Sequence, residues 1–236
     1  MIGIIGAMEA EVEILSSALN IIQKKTIGPF TYYQGILANK DVVLLQCGIG
    51  KVQAAIGCAL MLQSFQPTAL INTGSAGGIA PNLHFGDVVI SEGLMYHDVD
   101  VTAFGYLPGQ IPGQPQIFTT DKTLQMLAEK AIVSLKQTRK LPSSLNYEKG
   151  IISSGDIFMH EQQKIEQMRK TFPHVKAVEM EGAAIAHCCT LFHVPFLVLR
   201  SLSDIAGQES PMKFDEFLPL AARNSSEIVM ELVQNL

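Results

Sequence analysis

Two short stretches set carboxylates where they could do chemistry: Val178-Glu179-Met180-Glu181-Gly182 and Arg200-Ser201-Leu202-Ser203-Asp204. Each puts an acid just past an apolar run that reads as a buried strand. Ligands of open α/β sheets bind outside the carboxyl ends of the strands. Glu11 adds a third acid near the start of the chain. Carboxyl groups gathered at strand ends suit acid–base work on a small polar molecule. Acids in a first helical turn are also favoured by the helix dipole, and neither stretch alone separates the two readings.

Glycine-rich segments accompany these acids. Thr73-Gly74-Ser75-Ala76-Gly77-Gly78 follows an apolar run and reads as a strand-to-loop turn. There the backbone could come close to a ligand, with Ser75 as a small donor and acceptor. A tight turn with no ligand fits the same residues. The stretch matches neither G-x-G-x-x-G nor G-x-S-x-G. Gly6-Ala7-Met8-Glu9-Ala10-Glu11 leads from a strand into a helix, where an anion could sit, but the first basic residue is Lys24. That turn suits water or a neutral group, with Glu11 as a candidate base and Met8 as an apolar wall. In Gly155-Asp156-Ile157-Phe158-Met159, Phe158 either stacks on a flat ring or packs into the core. Gly48-Ile49-Gly50-Lys51 is no phosphate loop, because Leu45 and Val52 stand where Gly and Ser/Thr are required.

The elements that must position these residues follow from periodicity. Strands are predicted at Ile2–Ile5, Val42–Gln46, Ala69–Thr73, Val88–Ser91, Gly150–Ser153, Val175–Val178 and Phe196–Arg200. Helices are predicted at Ala10–Leu19, Val52–Leu62, Leu124–Leu135, Lys164–Thr171, Ala183–Phe192 and Phe214–Leu232. The helix at 52–62 is apolar nearly all round, as a buried helix would be. Alternating strands and helices give a layered α/β fold, and residues 1–236 read as one domain. Tyr96 to Thr119 breaks the alternation with Pro108, Pro112 and Pro115 among glycines and aromatics. A loop of that kind is expected to cover a site or a subunit interface.

Composition excludes several classes. The net charge is −5, and no Lys/Arg cluster of the kind nucleic acid requires is present. No apolar run approaches a membrane span, and Met1–Met8 reads as a strand rather than a signal peptide. The protein is expected to be cytoplasmic. Charged residues make up 17%, below the roughly 25% usual for soluble proteins; a homo-oligomeric interface or one large core would each account for this. Cys47, Cys58, Cys188 and Cys189 show no C-x-x-C spacing, so reduced structural thiols are expected, with no disulfide framework and no zinc site.

In order along almost the whole chain, these residues resemble the nucleoside phosphorylase/hydrolase superfamily. Within it the chain is similar to the bacterial 5′-methylthioadenosine/S-adenosylhomocysteine nucleosidases. The likeness rests on Ile2–Glu9, Asn72–Gly78, His97–Tyr106, Val178–Glu181, Ser203-Asp204 and Phe214–Phe217. It implies a three-layer α/β/α sandwich around a twisted mixed sheet, a homodimer, and no metal or organic cofactor. The resemblance also assigns roles. Asp204 would protonate N7 of adenine, steadied by Ser203, and Glu11 would activate the attacking water. Glu181, the third catalytic group, would hold the ribose with Met180. Phe158 would stack on adenine while the Met159 backbone reads its edge. Met8, Ile49 and Phe214 would line a 5′-alkylthio pocket, and Ser75, Ala76, Gly77 and Glu179 complete the binding set. Val101, Phe104 and Pro112 would reach into the neighbouring subunit's site.

Water rather than phosphate is the expected nucleophile. A phosphate cradle is usually built with arginine, and Arg139, Arg169, Arg200 and Arg223 all lie outside the Gly6 and Gly74 segments. Two alternatives stand beside this reading: an aminodeoxyfutalosine nucleosidase of menaquinone synthesis, and a non-catalytic nucleoside-binding protein. Two positions depart from the family pattern. Met159 stands where Ile or Val is frequent, and Gly207 to Pro211 differs, which bears on the 5′-substituent preference.

Overall fold

Alternation of the apolar runs decides which way each side chain faces. A computed structural model describes residues 1–205 and 210–236, without the side chains of 210–213. The Gly207–Pro211 stretch thus falls outside the described residues and side chains. The chain opens with β1 (Ile2–Gly6), α1 (Glu9–Ala18), β2 (Asn20–Ile27), β3 (Phe30–Leu37), β4 (Lys40–Gln46) and α2 (Lys51–Phe65). It continues with β5 (Ala69–Gly78), β6 (Val88–Tyr96), a 3-10 turn at Thr102–Phe104, β7 (Phe118–Thr119) and α3 (Lys122–Gln137). It ends with β8 (Tyr147–Ser154), α4 (Gln162–Thr171), β9 (Val175–Glu179), α5 (Gly182–Leu191), β10 (Phe196–Ile205) and α6 (Ser210–Gln234).

One mixed sheet holds all the described strands. β4, β1, β5 and β10 lie side by side and parallel, and β3 and β2 extend the sheet antiparallel beyond β4. On the other side β10 pairs with β6, β6 with β8, and β8 with β9. β9 then returns to pair with the end of β5 at Gly77 and Gly78. The sheet therefore closes on itself through β5, β10, β6, β8 and β9, which removes free edges from that half.

Both faces are covered, giving the three layers expected. Ile4, Leu44, Ile71 and Leu199 pack with Leu15 of α1, Leu135 of α3 and Ile228 and Leu232 of α6. Ile5, Leu45, Leu70 and Val198, one residue out of phase, pack with Cys58 and Met61 of α2 and Ile185 of α5. Sheets buried on both faces read as continuous apolar runs, which is why these strands stand out in the sequence. No helix among the described residues is long and apolar enough to cross a membrane.

Three features differ from expectation. The β2–β3 hairpin is absent from the predicted elements, because β2 is exposed along nearly its whole length and no buried run marks it. Second, β5 and β10 run on through Gly78 and Ile205. Thr73–Gly78 is thus strand, not a turn, held by pairing to β10 on one side and β9 on the other. Third, α2 is not buried all round: Val52 and Ile56 are 68% and 47% exposed, because only one of its faces meets the sheet and α5.

Candidate active site

A β-bulge in β10 sets up the site. Leu202 pairs with Ala76 and Asp204 with Gly77, so Ser203 has no partner of its own in the ladder. Successive strand residues normally face opposite ways, and a bulge re-aims them. Here Ser203 and Asp204 both line one cavity of about 410 Å³, a size usual for small-molecule sites. The Ser203 hydroxyl donates to Asp204 Oδ1 at 3.2 Å, and Asp204 is buried.

Glu11 enters from α1. Its Oε2 accepts from the N–H groups of Ala7 and Met8 at 2.9 and 3.1 Å. Its Oε1 accepts from the N–H and hydroxyl of Ser75 at 2.8 and 2.9 Å. Four donors thus fix the orientation of this carboxyl group, one of them the N-cap Met8 N–H that would otherwise be orphaned at the helix start. The small residues of β5 make room for both acids. A Cβ at Gly74 would fall 2.8 Å from Glu11 Oε1, and one at Gly77 would fall 3.1 Å from Asp204 Oδ2.

β9 delivers the remaining acids. Glu179 is buried, and its oxygens accept from the Ser154 hydroxyl, from the N–H groups of Glu181 and Gly182, and from the Arg200 guanidinium. Burial works to raise its pKa, but the Arg200 charge, the Ser154 hydroxyl and the Gly182 N–H outweigh it and hold it below the usual carboxyl range. Arg200 also donates to Asn72 Oδ1 at 2.7 Å and lies behind Glu179, outside the cavity lining. Glu181 goes the other way. Burial, then the Glu179 charge, push its carboxyl up to about 8 against the pull of Arg200 and the Gly50 N–H. It therefore carries a proton near neutral pH and can donate as well as accept.

The loop after β8 supplies the apolar wall. Phe158 lines the cavity and meets Phe214 of α6 edge-on, with ring centroids 5.9 Å apart at 82°. Met8, Ile49, Ala76, Met159 and Met180 line the same space. Glu11, Ser75, Gly77, Phe158, Glu179, Glu181, Ser203, Asp204 and Phe214 complete the predicted residues that the fold brings together there. Val101, Phe104 and Pro112 do not line this cavity, and Phe104 is 81% exposed. Sequence reasoning missed Ala7, Ile157, Val178 and Asp215. The first three neighbour residues that were named; Asp215 carries no signal beyond its place beside Phe214.

Charge defines what the cavity can do. Glu11, Glu179, Glu181, Asp204 and Asp215 line it, and no Lys or Arg does so among the described residues. Buried carboxyls with unlike protonation can divide acid and base roles between them. Among the described residues an inorganic anion would find no cationic partner there.

Comparison with known proteins identifies the family of the chain. A family model described as the phosphorylase superfamily matches residues 1–234. The 5′-methylthioadenosine/S-adenosylhomocysteine nucleosidase of Tolumonas auensis is 49% identical over 235 residues, covering 100% of this chain and 99% of the relative. The enzyme of that name from Neisseria meningitidis, solved with methylthio-immucillin-A, superposes with a TM-score of 0.94 at 43% identity. That match covers 100% of this chain and 99% of the solved one. Futalosine hydrolase of Helicobacter pylori superposes with a TM-score of 0.90 at 31% identity, covering 100% and 97%. The chain belongs to the phosphorylase superfamily and, within it, to the family of the 5′-methylthioadenosine/S-adenosylhomocysteine nucleosidases.

Proposed function

We propose that the protein hydrolyses the N-glycosidic bond of 5′-methylthioadenosine and S-adenosylhomocysteine, and of 5′-deoxyadenosine, releasing adenine and the corresponding ribose. The observation that carries hydrolysis over phosphorolysis is the cavity lined by five carboxyl residues and no cation among the described residues. Asp204 gives a proton to N7 of adenine, which turns a poor leaving group into a good one. The C1′–N9 bond breaks and its electron pair goes to the base. Positive charge then develops on the sugar, and nearby carboxylates stabilise it. Water bonded to Glu11 adds at C1′ and passes its proton to that carboxylate. Glu181 and Met180 hold the ribose, Phe158 stacks on the purine, the Met159 backbone reads its edge, and Met8, Ile49 and Phe214 enclose the 5′-alkylthio group.

The working unit in this reading is a cytoplasmic homodimer of one-domain subunits, serving methionine salvage. The exposed apolar Val52 and Ile56 of α2 and Leu191 and Phe192 at the end of α5 support a covered face. Val101, Phe104 and Pro112 then complete the partner's pocket. The likeness to futalosine hydrolase favours aminodeoxyfutalosine as the second substrate to assay. The deciding experiment is adenine release from 5′-methylthioadenosine with and without inorganic phosphate, with identification of the sugar. Phosphate-independent release of free methylthioribose is expected; a sugar 1-phosphate would overturn the proposal.

A further inference from the structure

Lys51 opens α2, where a positive charge faces the positive end of the helix dipole. Its ammonium lies 2.5 Å from Asp98 Oδ2 and 3.8 Å from Asp156 Oδ2. The two aspartates are tied to each other and to the helix as well. The Asp156 N–H donates to Asp98 Oδ2 at 2.9 Å, and the Lys51 N–H donates to Asp156 Oδ1 at 2.9 Å. Asp156 thus caps α2 from a distant loop, a task its own N-cap Gly50 has no side chain to perform. The next orphan donor at this helix end, the Gly50 N–H, goes to Glu181 Oε1 at 2.9 Å.

We infer that Lys51 is a positioning residue: with Asp98 and Asp156 it clamps the start of α2 to the 156–159 loop, and so sets Ile49 and Phe158 against Glu181. The inference rests on the nucleosidase reading of the cavity. Ile49 lies two residues before Lys51 and Phe158 two residues after Asp156, so both walls hang directly from the clamp. Exposed ion pairs contribute little, but Asp98 is largely buried, its side chain 13% exposed. Burial alone would raise the Asp98 pKa; the Lys51 ammonium and the Asp156 N–H hold it below its ordinary value instead. Without the lysine, two carboxylates would face each other across a helix start, and the loop carrying Phe158 would be held there only by the backbone bonds Lys51 N–H to Asp156 and Asp156 N–H to Asp98.

The clamp touches the binding walls and neither Asp204 nor Glu11, so its loss should act on binding. For Lys51→Met, KM for 5′-methylthioadenosine is expected to rise about tenfold or more with kcat within about threefold of the parent. Lys51→Arg, which keeps the charge, should recover most of the loss. Amide hydrogen exchange supplies a readout independent of turnover: in Lys51→Met, the hydrogen-bonded amides of Gly50, Lys51 and Asp156 should exchange faster, and in Lys51→Arg they should not. If the parent protein releases no adenine, the functional reading fails while exchange still tests the clamp. Unchanged KM, an equal fall in kcat, no recovery by Arg, or unchanged exchange at these amides would each overturn the inference.

Discussion

Glu11 and Asp204 stand against Gly74 and Gly77 of one strand, three residues and about 10 Å apart along it. That spacing leaves room for a glycosidic bond between a proton donor and a water. Asp204→Asn is expected to lower kcat by about 10²–10⁴-fold while nucleoside binding stays within a few-fold, because an amide cannot deliver the proton. Near-parental turnover by that variant would remove Asp204 from the chemistry. Glu11→Gln should likewise lower kcat and spare binding, as single-turnover and equilibrium binding measurements would separate. Glu181 makes a different prediction. Its pKa is about 8 in the fold against 4.5 ordinarily, so the folded protein keeps a proton that the unfolded chain releases. The fold is then penalised progressively as pH rises from about 4.5 to 8, with no effect below and a constant one above. Glu181→Gln should gain stability over the parent from pH 5 to pH 8, by at most a few kcal/mol at about 1.4 per pKa unit. Denaturation midpoints that run parallel across that range would rule the raised pKa out.

Strand β5 shows why the acids were easier to find than their setting. Its apolar half, Ala69–Thr73, is legible because both faces are buried; its second half, Gly74–Gly78, has the composition of a turn. Gly74 and Gly77 are there because carboxyl groups press against the strand, a tertiary reason that local propensity cannot express. The same holds for Arg200: the sequence sets it near the site, and only the fold shows it paired behind Glu179. The Gly28-Pro29 turn between β2 and the alternating Phe30 and Tyr32 was a usable hairpin signal. Gly74→Ala tests the close approach. Since four hydrogen bonds hold Glu11, the added methyl must displace its carboxyl at their expense, so kcat should fall about 100-fold and the thermal midpoint should fall as well. Full activity in a folded Gly74→Ala protein would show that the carboxyl has room to move.

At the scale of the whole molecule, one feature has no explanation within a single chain. Phe104 stands on a Pro- and Gly-rich arm, almost fully in water, although an aromatic ring gains much by burial. If it closes the partner's pocket, Phe104→Ala should raise KM for thioether nucleosides more than for adenosine; equal effects would place it elsewhere. If the proposed dimer forms, specific activity should also fall on dilution below its dissociation constant, which a concentration series with sedimentation would read.

The closed half of the sheet has a dynamic consequence. Leu199, Arg200 and Ser201 are paired on both sides, to β5 and to β6, just before the bulge that aims Asp204. The proposed proton donor therefore rides on backbone that only global unfolding can release, while Phe158 rides on a loop outside any ladder. Deuterium should enter the amides of 199–201 last and those of 157–159 early. A nucleoside that slows exchange in the second group without touching the first would be closing a soft wall onto a hard floor.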